Sequence, residues 1–432
     1  MSGLTDKIIF FNLERIACSL FSNNSETVYI SKDIYEGSDD ISRRLERFLR
    51  TCSYKKVVFP PDKVFILERQ LVVYDVQNME IDFNNCTLKL PDDCRWRARH
   101  DIKGYYVYES VLGFYNCSGI RISNLKIDGN RYKLTGSGSF FGIVLNDIKG
   151  FTCNNLYVAK VNYHPVFIYK NTQGIKFCNT KFEDNGDEII NGKSEVYVEN
   201  NPDDDFAFYD TYIERTLDGG KIKSGQVFYV NGYNGTVDGV VAKRIGSVFD
   251  CRIGSHYFSN IIVDECELPF IVQPYPNAEA GDAPSIYVKN VKAKNCYGSS
   301  ESGAALLCIV GCNEAVIEDV YLEATSDPKA KYKWYGLRIY NFKSYENNPA
   351  KNVALKNIKI KGPEKAGIFI SKIKDDVIAE NIVLEGSGIG SGIIMEDNDA
   401  YLKIRNCEIS GFATNSFTGQ TEKIIIQGSD DV

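Results

Sequence analysis

The sequence predicts an all-β chain wound as a single-stranded right-handed parallel β-helix of about 10–12 rungs, behind an N-terminal α-helical cap. Three observations predict it. A short motif with Asn in a fixed slot between two apolar alternations recurs along the chain. A second apolar strand precedes each copy. The periodicity also changes from helical to alternating near Lys56.

In residues 1–52, Ile9, Leu13, Ile16 and Leu20 fall at helical spacing, as do Ile41, Leu45, Phe48, Leu49 and Cys52. Ser38-Asp39-Asp40 supplies an N-terminal cap for the second helix. From Lys56 the chain turns to short strands, beginning with Lys56-Val57-Val58-Phe59 and stopped by Pro60-Pro61. The expected organisation is a cap over 1–55 and a β-helix over 56–432.

The motif stands at Ile120-Arg121-Ile122-Ser123-Asn124-Leu125-Lys126-Ile127 and at Phe151-Thr152-Cys153-Asn154-Asn155-Leu156-Tyr157-Val158. Further copies centre on Asn85, Asn179, Asn260, Asn290, Asp319, Asn357, Asn381 and Asn406, with weaker ones at Asp210 and Gly239. Spacings run from 21 residues (Gly239 to Asn260) to 39 (Asn85 to Asn124). In a parallel β-helix each strand stacks on its equivalent one coil away, roughly 4.8 Å distant. Apolar residues at alternate positions then face a core that no single coil buries alone. Asn suits the turn between two strands because it tolerates left-handed backbone and its amide bonds along a stack. An antiparallel sandwich also has many short strands, but gives no reason for Asn in one slot.

Composition excludes several classes. The 432 residues are 44% apolar and 25% charged, with a net charge of −7, against the basic face of a nucleic-acid binder. No apolar run reaches the roughly 18 residues of a membrane span. The stretch from Thr5 to Arg15 is broken by Asn12, Glu14 and Arg15, so it does not read as a secretory signal. Thirteen cysteines, an odd number without a C-x-x-C pair, read as small buried hydrophobes in a reducing compartment, with no zinc site. No cofactor is expected. Asp203-Asp204-Asp205 offers clustered oxygens suited to Ca²⁺, with a solvated loop as the alternative.

Aligning the strands before the Asn motif gives two columns. One reads Phe141, His164, Asp187, Gly225, Gly246, Leu268; the next reads Gly142, Pro165, Glu188, Gln226, Ser247, Pro269. His164 then lies one coil from Asp187, with Lys221, Lys223, Lys243 and Arg244 ahead. An imidazole, two carboxylates and a basic cluster can supply glycosidic hydrolysis, which needs a proton donor and a base or nucleophile. They can also supply elimination from a uronic acid, which needs a base and a cation on the carboxylate. Asp187 and Glu188 are the candidate acid and base, with His164 assisting. Lys223, Arg244 and Gln226 are candidate substrate ligands. Trp334, in Lys331-Tyr332-Lys333-Trp334-Tyr335, and Trp96 are candidate sugar-stacking rings, with core or interface packing as the alternative. His100 and His256 are weaker candidates.

Ser38-Asp39-Asp40, the amphipathic helix, Val57-Val58-Phe59-Pro60 and Phe65-Ile66-Leu67 together resemble the opening of the pectate-lyase-like β-helix superfamily. That group includes phage tailspikes that depolymerise polysaccharide and the family-28 polygalacturonases. Ile175 to Glu188 resembles the polygalacturonase segment carrying a Gly-Asp-Asp motif, so Asp187 and Glu188 take its acidic places. The third carboxylate of that family falls at Asn162-Tyr163-His164, where a His stands instead. Arg244-Ile245-Gly246 and Gly254-Ser255-His256 are partial echoes of two further motifs. The resemblance implies a tailspike-like depolymerase, trimeric, active on an acidic polysaccharide, and virion-borne or cytoplasmic. A sugar-modifying enzyme such as an epimerase or transglycosylase, and a non-catalytic glycan-binding or structural β-helix, are the alternatives.

Overall fold

The computed structural model describes residues 26–36, 40–99, 102, 104–134, 139–186, 196–199, 205–215, 225–232, 234–298, 305–341, 343–413 and 416–427. The chain divides into two compact units, Met1–Asp187 with Glu199–Tyr212, and Glu188–Val198 with Ile213–Val432. Each is a right-handed parallel β-helix built from three parallel sheets, here A, B and C in the order the chain visits them.

In the first unit the long strand Ser110–Asp128 shows one whole coil. Its residues 112–115 pair with Leu71–Tyr74 in sheet A, 121–123 with Glu80–Asp82 in sheet B, and 126–128 with Thr87–Lys89 in sheet C. The next strand, Phe141–Ala159, repeats the course in register with it. The second unit does the same with shorter pieces. Sheet A there holds Gln226–Val230, Ser247–Cys251, Phe270–Val272, Ala305–Ile309, Tyr335–Tyr340, Ala366–Ser371 and Ser391–Glu396.

The corner between sheets B and C is where the Asn motif sits. Asn85, Asn124, Asn155, Asn179, Asp210, Gly239, Asn260, Asn290, Asp319, Asn357, Asn381 and Asn406 all have positive φ. An ordinary L residue is penalised there by about 1–2 kcal/mol. Asn escapes part of that penalty because its short amide bonds locally. The amides also bond to one another: Asn406 donates to Asn381 at 2.9 Å, Asn381 to Asn357 at 2.8 Å, and Asn357 to the Asp319 carboxylate at 2.7 Å.

Inward positions form rows of like residues. In the first unit Phe151 packs against Phe177 (5.6 Å), and Phe177 stacks on Phe208 (4.6 Å). In the second, Phe249 stacks on Phe258 (4.1 Å) and meets Phe270 (4.8 Å). The described cysteines are free thiols, all buried except the half-buried Cys407. Burial pushes thiols such as Cys86 and Cys117 up to about 11, so they stay protonated at neutral pH.

At the N-terminal end, helix Ile41–Leu49 buries Leu45 and Leu49, and the Asp40 carboxylate caps it by accepting from Arg43 N at 2.9 Å. Buried Glu46 pairs with Arg99 at 2.9 Å. The helix expected around Ile9 and Leu13 lies outside the described residues. The all-helical reading of 1–52 is corrected at Glu26–Tyr29, a strand that pairs in parallel with Lys55–Val58. Without this strand the edge of Lys55–Val58 would leave backbone groups unpaired, and Thr27, Val28 and Tyr29 are strand formers.

Asn381→Ala is expected to lower stability by about 1–3 kcal/mol in urea unfolding, through strained backbone and two lost amide bonds. Asn381→Gly is expected to lose less, because glycine accepts the left-handed corner. Equal losses in the two variants would show that backbone conformation contributes nothing there.

Candidate functional site

Phe249 points into the core, so its neighbour Asp250 points out of sheet A. Its outward column in the second unit reads, in register, Tyr229, Asp250, Ile271, Cys308, Arg338, Phe369 and Ile394. Asp250 is nonetheless buried, at 1% exposure. Its carboxylate accepts from Gln226 Nε2 at 2.9 Å, Arg252 Nη2 at 2.8 Å and Gln273 Nε2 at 3.2 Å. Burial pushes the Asp250 carboxyl above the usual carboxylate range, against the opposing pull of Arg252 and the amide donors.

Aromatic rings flank the guanidinium groups on this face of sheet A. The Arg252 guanidinium lies 5.6 Å from the Tyr229 ring and 6.0 Å from Tyr275. Arg338 lies 3.8 Å from the Tyr340 ring and 5.3 Å from both Tyr335 and Phe369. Trp334 and Tyr345 pack against the cluster of Cys308, Tyr335, Tyr340 and Phe369, and Lys365 Nζ lies 5.3 Å from the Trp334 ring. Two loops are tied together nearby: Asn277 N donates to Ser344 O at 2.7 Å, and Gly281 N to Asn348 Oδ1 at 2.8 Å.

A second carboxyl stands where the chain enters sheet A. Phe249 pairs with Phe270, so Glu267, not Leu268, falls in the column of Gly225 and Gly246. Glu267 N donates to Ile245 O at 3.2 Å. Among the described residues its side chain has no hydrogen-bond or ion-pair partner. Burial alone pushes it up to about 7. The two carboxyls thus differ in environment: the one in the sheet is held by three donors, the one at its entrance by none.

The sequence-derived candidates distribute as follows. Asp187, Glu188, Lys223 and Lys221 lie outside the described residues, as do His100, Asp203 and Asp204. The turn that leads to Asp187 is anchored: Asn185 Oδ1 accepts from Val161 N at 2.9 Å, and Gly186 N donates to Val161 O at 2.7 Å. The strand paired with Gln226–Val230 is Val196–Glu199, not the expected 188–190, which corrects the column drawn through Glu188 and Gln226. His164 lies beside Phe141, its backbone carbonyl accepting from Gly142 N at 3.0 Å, but it is buried, its ring 4.1 Å from Tyr163 and 5.7 Å from Phe141.

Arg244 occupies a left-handed corner leading out of sheet C. Its Nε donates to Arg215 O at 2.6 Å and its guanidinium pairs with Glu214. Gln226 donates to the outward Asp250, and Trp334 packs against the cluster of Cys308 and Phe369. Trp96 instead packs edge-on against Phe140 at 6.2 Å. His256 is buried, bonds Ile253 O at 2.6 Å, and is lowered to about 4 by burial, so it is neutral. Asp205 accepts from Gly174 N at 2.5 Å. Among the described residues no group of three His, Cys, Asp or Glu is arranged to hold a metal, and no helix is long and apolar enough to cross a membrane.

Sequence reasoning missed Asp250, Arg252, Gln273, Arg338 and Glu267. For the first four the signal is present: charged or amide residues at outward positions of otherwise apolar strands. Glu267 was hidden by a one-residue misalignment.

The fold and site define a right-handed parallel β-helix with carboxylates, arginines and aromatic rings on the outer face of one sheet. No protein-family model and no curated protein sequence matches the chain. Among solved structures, the catalytic domain of a glycoside hydrolase family 87 α-1,3-glucanase variant, in complex with tetrasaccharides, superposes with TM-score 0.57 at 13% identity. That match covers 96% of this chain and 69% of the glucanase chain. The Streptococcus pneumoniae surface protein and adhesin PfbA superposes with TM-score 0.53 at 9% identity, covering 94% of this chain and all of its own. These likenesses show the fold.

Because the folded Glu267 is raised from 4.5 to about 7, its contribution to stability is full below 4.5 and is lost as pH rises through 7. Glu267→Gln is therefore expected to lose less stability than the wild type between those values in chemical unfolding. Parallel pH curves for the two proteins would refute the half-buried, unpartnered carboxyl.

Proposed function

We propose that this chain is a carbohydrate-active enzyme that cleaves a polysaccharide, by hydrolysis or β-elimination, along the outer face of sheet A. The observation that carries the reading is Asp250 with guanidinium groups and aromatic rings on that face, together with Glu267, a carboxyl in a different environment where the chain enters the same sheet. Glycoside cleavage requires a carboxyl that is still protonated near neutral pH and a second group that is ionised. Glu267 fits the proton donor. Arg252 and Arg338 suit anionic sugar groups, and Tyr275, Tyr345 and Trp334 suit pyranose faces. Asp187 and Glu188 are retained as a candidate acid and base pair, with His164, Lys223 and Arg244 as their proposed helpers. A tetrasaccharide-bound glucanase of the same fold supports a glycan as substrate. A tailspike-like homotrimer is part of the proposal, and light scattering of the purified chain tests it.

One observation favours a second reading. Asp250 already has its oxygens occupied by Gln226, Arg252 and Gln273, as in a rigid non-catalytic binding surface. An adhesin shares the fold.

Incubation with acidic and neutral polysaccharides, followed by sizing of the products, separates the two. Shortened chains are expected, and ultraviolet absorbance from unsaturated uronide ends marks elimination. Glu267→Gln is expected to reduce turnover about 10²–10⁴-fold with substrate affinity kept. Asp187→Asn and Glu188→Gln test the other pair in the same assay. Unchanged cleavage in all three variants would discard these sites, and binding without any cleavage would establish the second reading.

A further inference from the structure

The first unit carries an open depression of about 840 Å³ lined by Tyr105, Tyr106, Tyr108, Tyr169, Asn146 and Asp147, with Lys170 and Asn171 at its rim. None of these residues belongs to the proposed cleavage site. We infer that this depression is a glycan-binding subsite that takes an uncharged pyranose segment of an oligosaccharide.

The aromatic part is a braced platform. Tyr106 is 49% exposed, yet its ring is fixed edge-on against Tyr108 at 4.9 Å. Tyr108 is held edge-on by Phe141 at 5.6 Å, Phe167 at 5.1 Å and Tyr169 at 5.6 Å. A large ring kept exposed and rigid presents apolar area without an ordering cost on binding.

The polar part is Asn146. It lies in register between Tyr115 and Tyr169 on the same face of sheet A. Its side chain is only 7% exposed, and among the described residues its amide has no hydrogen-bond partner. A nearly buried amide without partners carries a desolvation cost, and its remaining exposed surface lies in the depression, where a ligand hydroxyl can both donate and accept. Asp147 is oriented beside it, with Oδ2 accepting from Tyr105 O–H at 3.2 Å.

The charge pattern selects among ligands. Asp147 and Lys170 are both present, so neither an anionic nor a cationic ligand gains clear electrostatic advantage. Lys170 at the rim opposes the quaternary ammonium ions that aromatic cages hold. An amphipathic ligand with C–H faces and hydroxyl edges matches rings, amide and carboxylate together. The volume is within the range of sites that hold small ligands. That the glycan is also the substrate rests on the reading proposed above; that the depression binds one does not.

The test is calorimetry and saturation-transfer NMR on the full chain with neutral gluco-, manno- and galacto-tetraoses, and with a galacturonate tetramer as the charged control. A neutral tetraose is expected to bind, with magnetisation reaching its ring protons. Tyr106→Ala is expected to weaken binding about tenfold, while Tyr106→Phe, which keeps the ring face, retains it. Asn146→Leu is expected to weaken binding as well, with circular dichroism and urea midpoints confirming the fold of each variant. Glu267→Gln is expected to bind as the wild type does. No binding of any neutral tetraose, preference for the galacturonate, or equal affinity in Tyr106→Ala would overturn the inference. Tyr106-dependent binding without cleavage of any polysaccharide would leave the subsite standing and remove the enzymatic reading. Cleavage with Tyr106-independent binding would do the reverse.

Discussion

The fold depends on one recurring backbone event: at the described passages from sheet B to sheet C, the chain must take positive φ. If each such corner stacks on its equivalent one coil away, everything between corners stacks as well. The Asn amides fasten the stack in one direction, each Nδ2 donating to an oxygen one coil earlier in the chain. This explains where the ladders stop. A carboxylate accepts but cannot donate, and the series from Asn406 ends at Asp319, as the one from Asn290 through Asn260 ends at Asp238. In the first unit Asn155 donates to Asn124 and Asn124 to Asp82.

With the corners fixed, the two faces of each strand carry different constraints. Inward positions must be apolar and of matched size, which gives the phenylalanine rows. Outward positions are free to vary, and stacking turns any polar residue there into a member of a column. Asp250, Arg338 and their aromatic neighbours come from strands far apart in sequence, yet parallel register brings Asp250 and Arg338 into one outward column of the sheet, three coils apart. A site assembled this way needs no special backbone, only side chains of the right kind in the outward slots.

Environment then separates like groups. Asp250 lies in sheet A and Glu267 just before the chain enters it, and both carboxyls are raised by burial. Asp250 faces an arginine and two amides, which oppose the desolvation. Glu267 has no such partner, and so it holds its proton near neutrality. The same logic applies to an imidazole: His256 is buried beside Phe258, and burial keeps it neutral there.

The sequence by itself determined the corners and the inward rows, because both are local. A left-handed turn favours Asn, Asp or Gly whatever surrounds it, and alternation along a strand fixes which residues face the core. Asp40 as helix cap and Leu45 and Leu49 as the buried stripe were legible for the same reason. What the tertiary structure alone decided is register across coils of unequal length. Loop lengths, invisible to a motif, set how far a strand slides before it pairs, and a slide of one residue exchanges the two faces. That is why Glu267 and not Leu268 joins the column of Gly225 and Gly246, and why Val196–Glu199 supplies the strand beside Gln226. It is also why Glu26–Tyr29 is a strand rather than part of a helical cap: an edge available for pairing is a property of the folded chain, not of four residues.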